Sequence, residues 1–204
     1  LLIIYFISNS KGLEGFLLVC GCCILGYLYQ GPPFRLGYLG LGEPLCWIAF
    51  GPLANAAGLI ILNPSQNYGE IPWKESILLG SGPSLATTLV LFCSHFHQIK
   101  EDKQYGKNSP LVLLGIKKAA ALIPWIICTI YSFELFIIII GFIPPLCILY
   151  LISIPYALKL TNLINYSHEN SKVLKNCKFI AIKFQTMNGL GLIIGLIYSS
   201  FLNQ

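Results

Sequence analysis

At 204 residues the chain is long enough for a single domain, and no polar linker interrupts it. It is 55% hydrophobic and 10% charged with a mean hydropathy of +0.72, and a soluble globule of this size has too little interior for so many apolar side chains. The net charge of +5 sits in loops between apolar runs, which fits membrane topology and argues against a nucleic-acid partner.

Residues 1–8 read as the end of a span, and Ser8 to Gly12 as a short polar break. Leu1 opens within an apolar segment that has no basic flank, so no signal peptide is expected and the chain reads as a piece of a longer protein. The first complete apolar run is 13–29. Tyr29 to Glu43 follow as a loop holding three aromatic residues and four glycines, and with Pro32 and Pro33 it cannot continue a helix. Further runs at 45–62, 76–93, 111–131, 135–158 and 185–202 approach or exceed the ~18 residues that span a bilayer. The runs are continuous rather than alternating, so helices are expected and a barrel is not. Gly80, Ser81, Gly82, Ser84 and Ala86 suit close helix packing. Lys117 and Lys118 snorkel from the first turns of the fourth run, Glu134 falls in the break before the fifth, and Pro144-Pro145 kink the fifth. The expected architecture is all-α, a multi-pass transmembrane bundle of six complete spans plus a partial one.

With alternating spans, the loops 29–44, 94–118 and 159–184 share one side and hold eleven of the thirteen Lys and Arg residues. The positive-inside rule places that side in the cytoplasm. The eight cysteines form no zinc or disulfide pattern, since Cys20-x-x-Cys23 lies inside an apolar run and has no second pair.

The most polar run is His95 to Lys107. Histidines, an adjacent carboxylate pair and lysines at the mouth of a membrane helix are costly unless they bind something ionic. Gln98 and Asp102 are four apart, on one face if the helix continues, with Glu101 alongside. Such oxygen donors suit Mg²⁺ shared with phosphate groups. His95, His97, Lys100, Lys103 and Lys107 are candidate counter-charges for the anion. From the glycine-rich loop, Arg35 can fork onto phosphate oxygens, and Tyr29 or Tyr38 can donate hydrogen bonds. Two other readings stay open on the residues alone. The lysines and acids can simply face water, or His95-x-His97 can be a transition-metal pair, although no third ligand is evident. A transporter would place ionisable groups at mid-membrane depth, where these runs have almost none.

The run from His95 to Gly115, HFHQIKEDKQYGKNSPLVLLG, resembles the second aspartate-rich motif of the UbiA-type intramembrane prenyltransferases. Tyr27 to Ala54, YLYQGPPFRLGYLGLGEPLCWIAFGPLA, resembles the loop and following helix of the branch that acts on dihydroxynaphthoate. Weaker similarity continues from Asn176 to Leu196, so nearly the whole chain is covered. The resemblance implies transfer of a phytyl or other polyprenyl group from its diphosphate to a 1,4-dihydroxy-2-naphthoate-type acceptor, with decarboxylation, in phylloquinone or menaquinone biosynthesis. It also implies Mg²⁺ as cofactor and a cyanobacterial or plastid membrane, with the motif loops on the cytoplasmic or stromal side. The family's motif is usually D-x-x-x-D ahead of a Gly-Lys pair. Counting back from Gly106, Asp102 matches its second aspartate and Gln98 stands in place of the first. By that match Asp102, Glu101 and Gln98 are the metal candidates and, with Arg35, the catalytic ones. Tyr29, Arg35, Tyr38, His95, His97, Lys103 and Lys107 are the diphosphate or substrate candidates. The family bundle has about nine helices and a first, N-x-x-x-D-like motif for which this sequence has no match. Residues 1–204 are therefore expected to be one transmembrane prenyltransferase domain without its first two helices and that motif.

Overall fold

The computed structural model of the protein describes residues 12–62, 71–166 and 176–202. Every regular element among these residues is a helix. In order they are α1 (Gly12–Gln30), a short 3-10 turn (Leu36–Leu39), α2 (Gly42–Leu62), α3 (Trp73–Gln104) and α4 (Pro110–Ile139). A 3-10 helix (Pro145–Ser153) then leads into α5 (Ile154–Tyr166), and α6 (Cys177–Leu202) follows. Five stretches are long and apolar enough to cross a membrane, namely α2, α3, α4, Pro145–Leu163 and α6, and α1 is a shorter apolar helix. The chain is thus a multi-pass helical membrane protein; of the six complete spans expected, five are matched by stretches of spanning length, α1 at the first run is shorter, and the run 135–158 is divided by a turn so that its span is Pro145–Leu163. The partial span at residues 1–8, the turn around Glu70, and Lys172 and Lys175 lie outside the described residues.

Several boundaries differ from the expected ones. The helix α3 does not stop at residue 93 but runs through the polar stretch to Gln104, because Ile99 to Gln104 contain no Gly or Pro and consist mostly of good helix formers. The helix α4 continues past residue 131, so Glu134 lies inside it rather than in a break. Its buried positions Ala120, Ile123, Ile127, Ile130, Glu134 and Ile137 recur every three or four residues, and Glu134 is one member of that core stripe. The expected kink at Pro144-Pro145 is instead a turn through Gly141 (φ 70°) that separates two helices. Where α4 does break is Gly115, whose φ of 78° and ψ of 159° few residues other than glycine adopt. The last helix starts at Cys177 rather than 185, which puts Lys178 and Lys183 on its first two turns.

The chain divides into two compact units, one ending at Ser84 and the other beginning at Leu85, both within α3. In the first, Leu18 of α1 packs with Ala56 and Ile60 of α2. The backbones of α2 and α3 approach closely where glycines permit it. A Cβ on Gly80 would lie 2.8 Å from the Gly51 carbonyl oxygen and 2.6 Å from Asn55 Nδ2. In the second unit, Leu89, Phe92, Cys93 and Phe96 of α3 pack with Ala119, Ile123, Ile127 and Ile130 of α4, Leu160 of α5, and Ile180, Ala181 and Phe184 of α6. Gly191 and Gly195, four apart on α6, lie against the backbone of the Pro145–Ser153 helix; a Cβ on Gly195 would be 2.6 Å from Cys147 Cα. This is the small-xxx-small arrangement of membrane helices, which gain dispersion contacts by close approach.

Several polar groups inside this unit pair across helices. Asn188 Nδ2 of α6 donates to Glu134 Oε2 of α4 at 2.8 Å, and Gln185 Nε2 donates to Thr87 Oγ1 at 2.6 Å. Tyr131 and Ser153 share a 2.7 Å hydrogen bond between hydroxyls. Outward positions such as Trp125, Ile139, Ile193, Ile197 and Phe201 are exposed and apolar, as lipid-facing residues are. None of the eight cysteines forms a disulfide.

Candidate functional site

At the end of α3 two salt bridges converge on Asp102. His95 and Asp102 are seven residues apart, two turns along one face of the helix. The His95 Nδ1 to Asp102 Oδ2 distance is 3.0 Å, and both side chains are buried. A carboxylate offers only acceptors, so Nδ1 carries the proton and donates. The other oxygen, Oδ1, faces Lys107 Nζ at 3.7 Å. The pair of oxygens is therefore divided, one to the imidazole and one to the ammonium.

The way α3 ends explains how Lys107 reaches Asp102. Gly106 has φ of 67°, the left-handed conformation that favours glycine. The Lys107 N–H donates to the Asp102 carbonyl at 2.8 Å and the Gly106 N–H to the Lys103 carbonyl at 3.3 Å. These two bonds are the Schellman pattern, with Gly106 at C′, Lys107 at C″ and Asp102 at C3. A Gly-Lys pair placed four residues after an aspartate is thus a helix stop that returns the lysine over the last buried carboxylate. The spacing of the motif follows from the geometry of the cap.

The remaining candidates on this helix are less enclosed. Gln98 is half-buried, one turn before Asp102 on its face, whereas Glu101, His97 and Lys103 are exposed. His97 is two positions from His95 and so points to a different side, and the two imidazoles do not converge as a transition-metal pair. Among the described residues no group of three or more His, Cys, Asp or Glu side chains converges on one point. The donors present are the Asp102 carboxylate and the Gln98 carbonyl on one face, with the Glu101 carboxylate adjacent. Such a set suits a hard cation that takes one or two protein oxygens and the rest from phosphate and water, and not a closed protein cage.

The glycine-rich loop belongs to the first unit and forms its own cluster. Tyr27 Oη donates to the Pro32 carbonyl at 2.6 Å, ahead of a cis Pro32-Pro33 bond. The loop then folds onto the Tyr29 ring. A Cβ on Gly37 would lie 3.1 Å from Tyr29 Cζ, and one on Gly42 would lie 3.4 Å from Cε2. Tyr29 therefore serves the loop as its packing base, a role not apparent from sequence. Arg35 is exposed and sits at φ 44°, ψ 48°, an uncommon conformation for a residue with a side chain. Its guanidinium lies 5.7 Å from the centre of the Tyr38 ring, within cation–π range. Strain of this kind, held at an exposed cation, is the sort that marks ligand-binding loops.

Sequence reasoning treated His95 as a counter-charge for a bound anion and missed its bond to Asp102. The available signal was the spacing of seven, which returns to the same helix face.

Residues 2–182 match the UbiA prenyltransferase family. The chain belongs to that family. This UbiA-family chain is 35% identical over 191 residues to 2-carboxy-1,4-naphthoquinone phytyltransferase, chloroplastic, of Arabidopsis thaliana, covering 93% of the chain and 50% of that protein. It is 39% identical over 166 residues to 2-carboxy-1,4-naphthoquinone phytyltransferase of Synechocystis sp. (strain ATCC 27184 / PCC 6803 / Kazusa), covering 81% and 52% respectively. It is 24% identical over 155 residues to 1,4-dihydroxy-2-naphthoate octaprenyltransferase of Bacillus subtilis (strain 168), covering 76% and 48%. The chain spans about half the length of these curated relatives. No solved structure gives a significant match.

Proposed function

We propose that the full-length protein is a membrane prenyltransferase that moves a phytyl group from its diphosphate to a 1,4-dihydroxy-2-naphthoate-type acceptor, with loss of the acceptor's carboxyl group, in phylloquinone synthesis. The observation that carries this reading is the buried carboxylate Asp102 at the end of a membrane helix, faced by His95 and Lys107, in a chain of this family. A phytyl donor is favoured over a longer polyprenyl chain because the similarity to the phytyltransferases is the higher.

In this mechanism Asp102 and Gln98 would hold a divalent cation, Mg²⁺ in the proposal, with Glu101 as an auxiliary carboxylate. The cation, when bound, supplies positive charge to the diphosphate as the allylic C–O bond breaks. Lys107, Lys103 and His97 bring further donors from the same helix end, and Arg35 brings a planar fork suited to two phosphate oxygens. Tyr38 sets the Arg35 side chain by stacking, and Tyr29 holds the loop that carries both. The electron-rich acceptor ring attacks the allylic carbon, the new C–C bond forms, and the carboxyl group leaves as CO₂. Apolar helices exclude water that would otherwise quench the allylic cation.

We place the motif loops on the cytoplasmic or stromal side of a cyanobacterial or plastid membrane, following the lysine distribution. We read residues 1–204 as one transmembrane prenyltransferase domain. The reading is tested by incubating the full-length protein with phytyl diphosphate, Mg²⁺ and 1,4-dihydroxy-2-naphthoate. The phytylated, decarboxylated naphthohydroquinone is the expected product. Its absence with correctly inserted protein would overturn the reading.

A further inference from the structure

The Schellman cap at Gly106 does more than stop α3. It holds the Lys107 ammonium 3.7 Å from Asp102 Oδ1, while Oδ2 is already engaged by His95. Both oxygens of the one buried carboxylate on this helix thus face nitrogen atoms. At 3.7 Å Lys107 is an ion-pair partner and not a hydrogen-bond donor, so Oδ1 keeps its lone pairs, and a cation bound there meets the charge of the ammonium. His95 is the tighter and more deeply buried partner, at 3.0 Å with a side chain 3% exposed; Lys107 is looser and 17% exposed. Lys107 is the partner that can leave. Its backbone is fixed by the main-chain bond from its own N–H to the Asp102 carbonyl, but its four-carbon stem is flexible.

We propose that Lys107 is a resident counter-ion of Asp102 that a divalent cation displaces from Oδ1, and that the displaced ammonium then engages the diphosphate. This rests on the reading of Asp102 as a metal ligand given above. The physical argument is charge balance. An isolated buried carboxylate is costly, so the metal-free site needs a cation of its own. Once the metal takes Oδ1, an ammonium left in place would be repelled by it. The cap restricts Lys107 to the immediate neighbourhood, where the diphosphate bound to that same metal is the nearest anion. One residue would then serve two successive anions, and loading of metal and donor would be coupled.

The effect of removing the competitor follows from the distance. Two unit charges 3.7 Å apart, screened as fully as in bulk water, attract by an energy equivalent to about sevenfold in an equilibrium constant. A Lys107→Met variant keeps the main-chain cap and the length of the stem but no charge. Lys107→Arg keeps the charge as a control for altered packing.

The test is Mn²⁺ binding to the full-length protein, followed by electron paramagnetic resonance without substrate, on wild type, K107M, K107R and D102N. The part of the binding lost in D102N defines the Asp102 site. At that site K107M is expected to bind Mn²⁺ about fivefold to tenfold more tightly, with K107R close to wild type. Inorganic diphosphate, titrated onto the Mn²⁺-loaded proteins, is expected to bind more weakly to K107M. Unchanged or weaker Mn²⁺ binding by K107M would overturn the exchange and leave Asp102 as a metal ligand. Tighter Mn²⁺ binding with unchanged diphosphate affinity would overturn the hand-over. Equal Mn²⁺ binding by D102N and wild type would overturn the exchange together with the metal reading on which it rests.

Discussion

Replacing Asp102 by Asn separates the shape of the buried cluster from its charge. Asn keeps an oxygen that can accept from His95 Nδ1–H at the present 3.0 Å, so the imidazole retains its partner. What is lost is the negative charge facing Lys107 at 3.7 Å, worth about 1 kcal/mol if screened as in water and about 4–5 kcal/mol at the intermediate dielectric of a protein surface. Lys107 is partly exposed and can turn to water, so the cost to folding should fall near the lower figure, on the order of 1–2 kcal/mol. Activity should fall much further, by about 10²–10³-fold, as it does when one group stabilising transition-state charge is removed. The assay is prenyl transfer by detergent-solubilised full-length protein, with thermal unfolding measured on the same samples. A folded D102N protein with near-wild-type turnover would refute the assignment of a charge-dependent role to this carboxylate.

Other substitutions probe separate parts of the account. Gly106→Ala forces a side chain into a left-handed position and should destabilise by about 1 kcal/mol, read as a lower unfolding midpoint; an unchanged midpoint would contradict the cap. Arg35→Gly should relieve backbone strain at φ 44°, preserving or raising stability by about 1 kcal/mol, while substrate diphosphate binds more weakly in a KM measurement. Asn188→Leu removes the hydrogen-bond donor to Glu134 and should lower stability by about 1–3 kcal/mol in a denaturation series, with Glu134→Gln milder because it keeps the acceptor. Cys20→Ala, in a half-buried thiol with no metal or disulfide partner, should change activity by less than about twofold.

The helices were legible in the sequence because long apolar runs broken by Gly, Pro and charge have few other solutions in lipid. Their ends were less so, and for particular reasons. Glu134 looked like a loop residue because a carboxylate in an apolar run reads as a boundary. Its partner Asn188 is 54 positions away, and only the fold brings the two together. The polar run after residue 93 looked like a loop for the same reason, although the helix continues through it as far as Gln104. Gly191 and Gly195 carry the small-xxx-small spacing, but the backbone they pack against, around Cys147 and Leu149, is more than 40 positions away and only the fold brings it to them. In the candidate site, the Gly106-Lys107 pair and Asp102 were recognisable as a motif. The structure supplies the reason for their spacing, a Schellman cap, and adds His95 as a direct partner of the carboxylate. The role of Tyr29 as the base of the Arg35 loop depends on ring-to-backbone contacts with Gly37 and Gly42, which no periodicity encodes.

The most direct measurement of the central claim is product formation by the full-length protein in lipid, supplied with phytyl diphosphate, 1,4-dihydroxy-2-naphthoate and Mg²⁺, and analysed by mass spectrometry. The account predicts a phytylated, decarboxylated naphthohydroquinone whose formation stops when the metal is chelated. Correctly folded protein that yields no such product, or that forms it equally well with the metal chelated, would contradict the account.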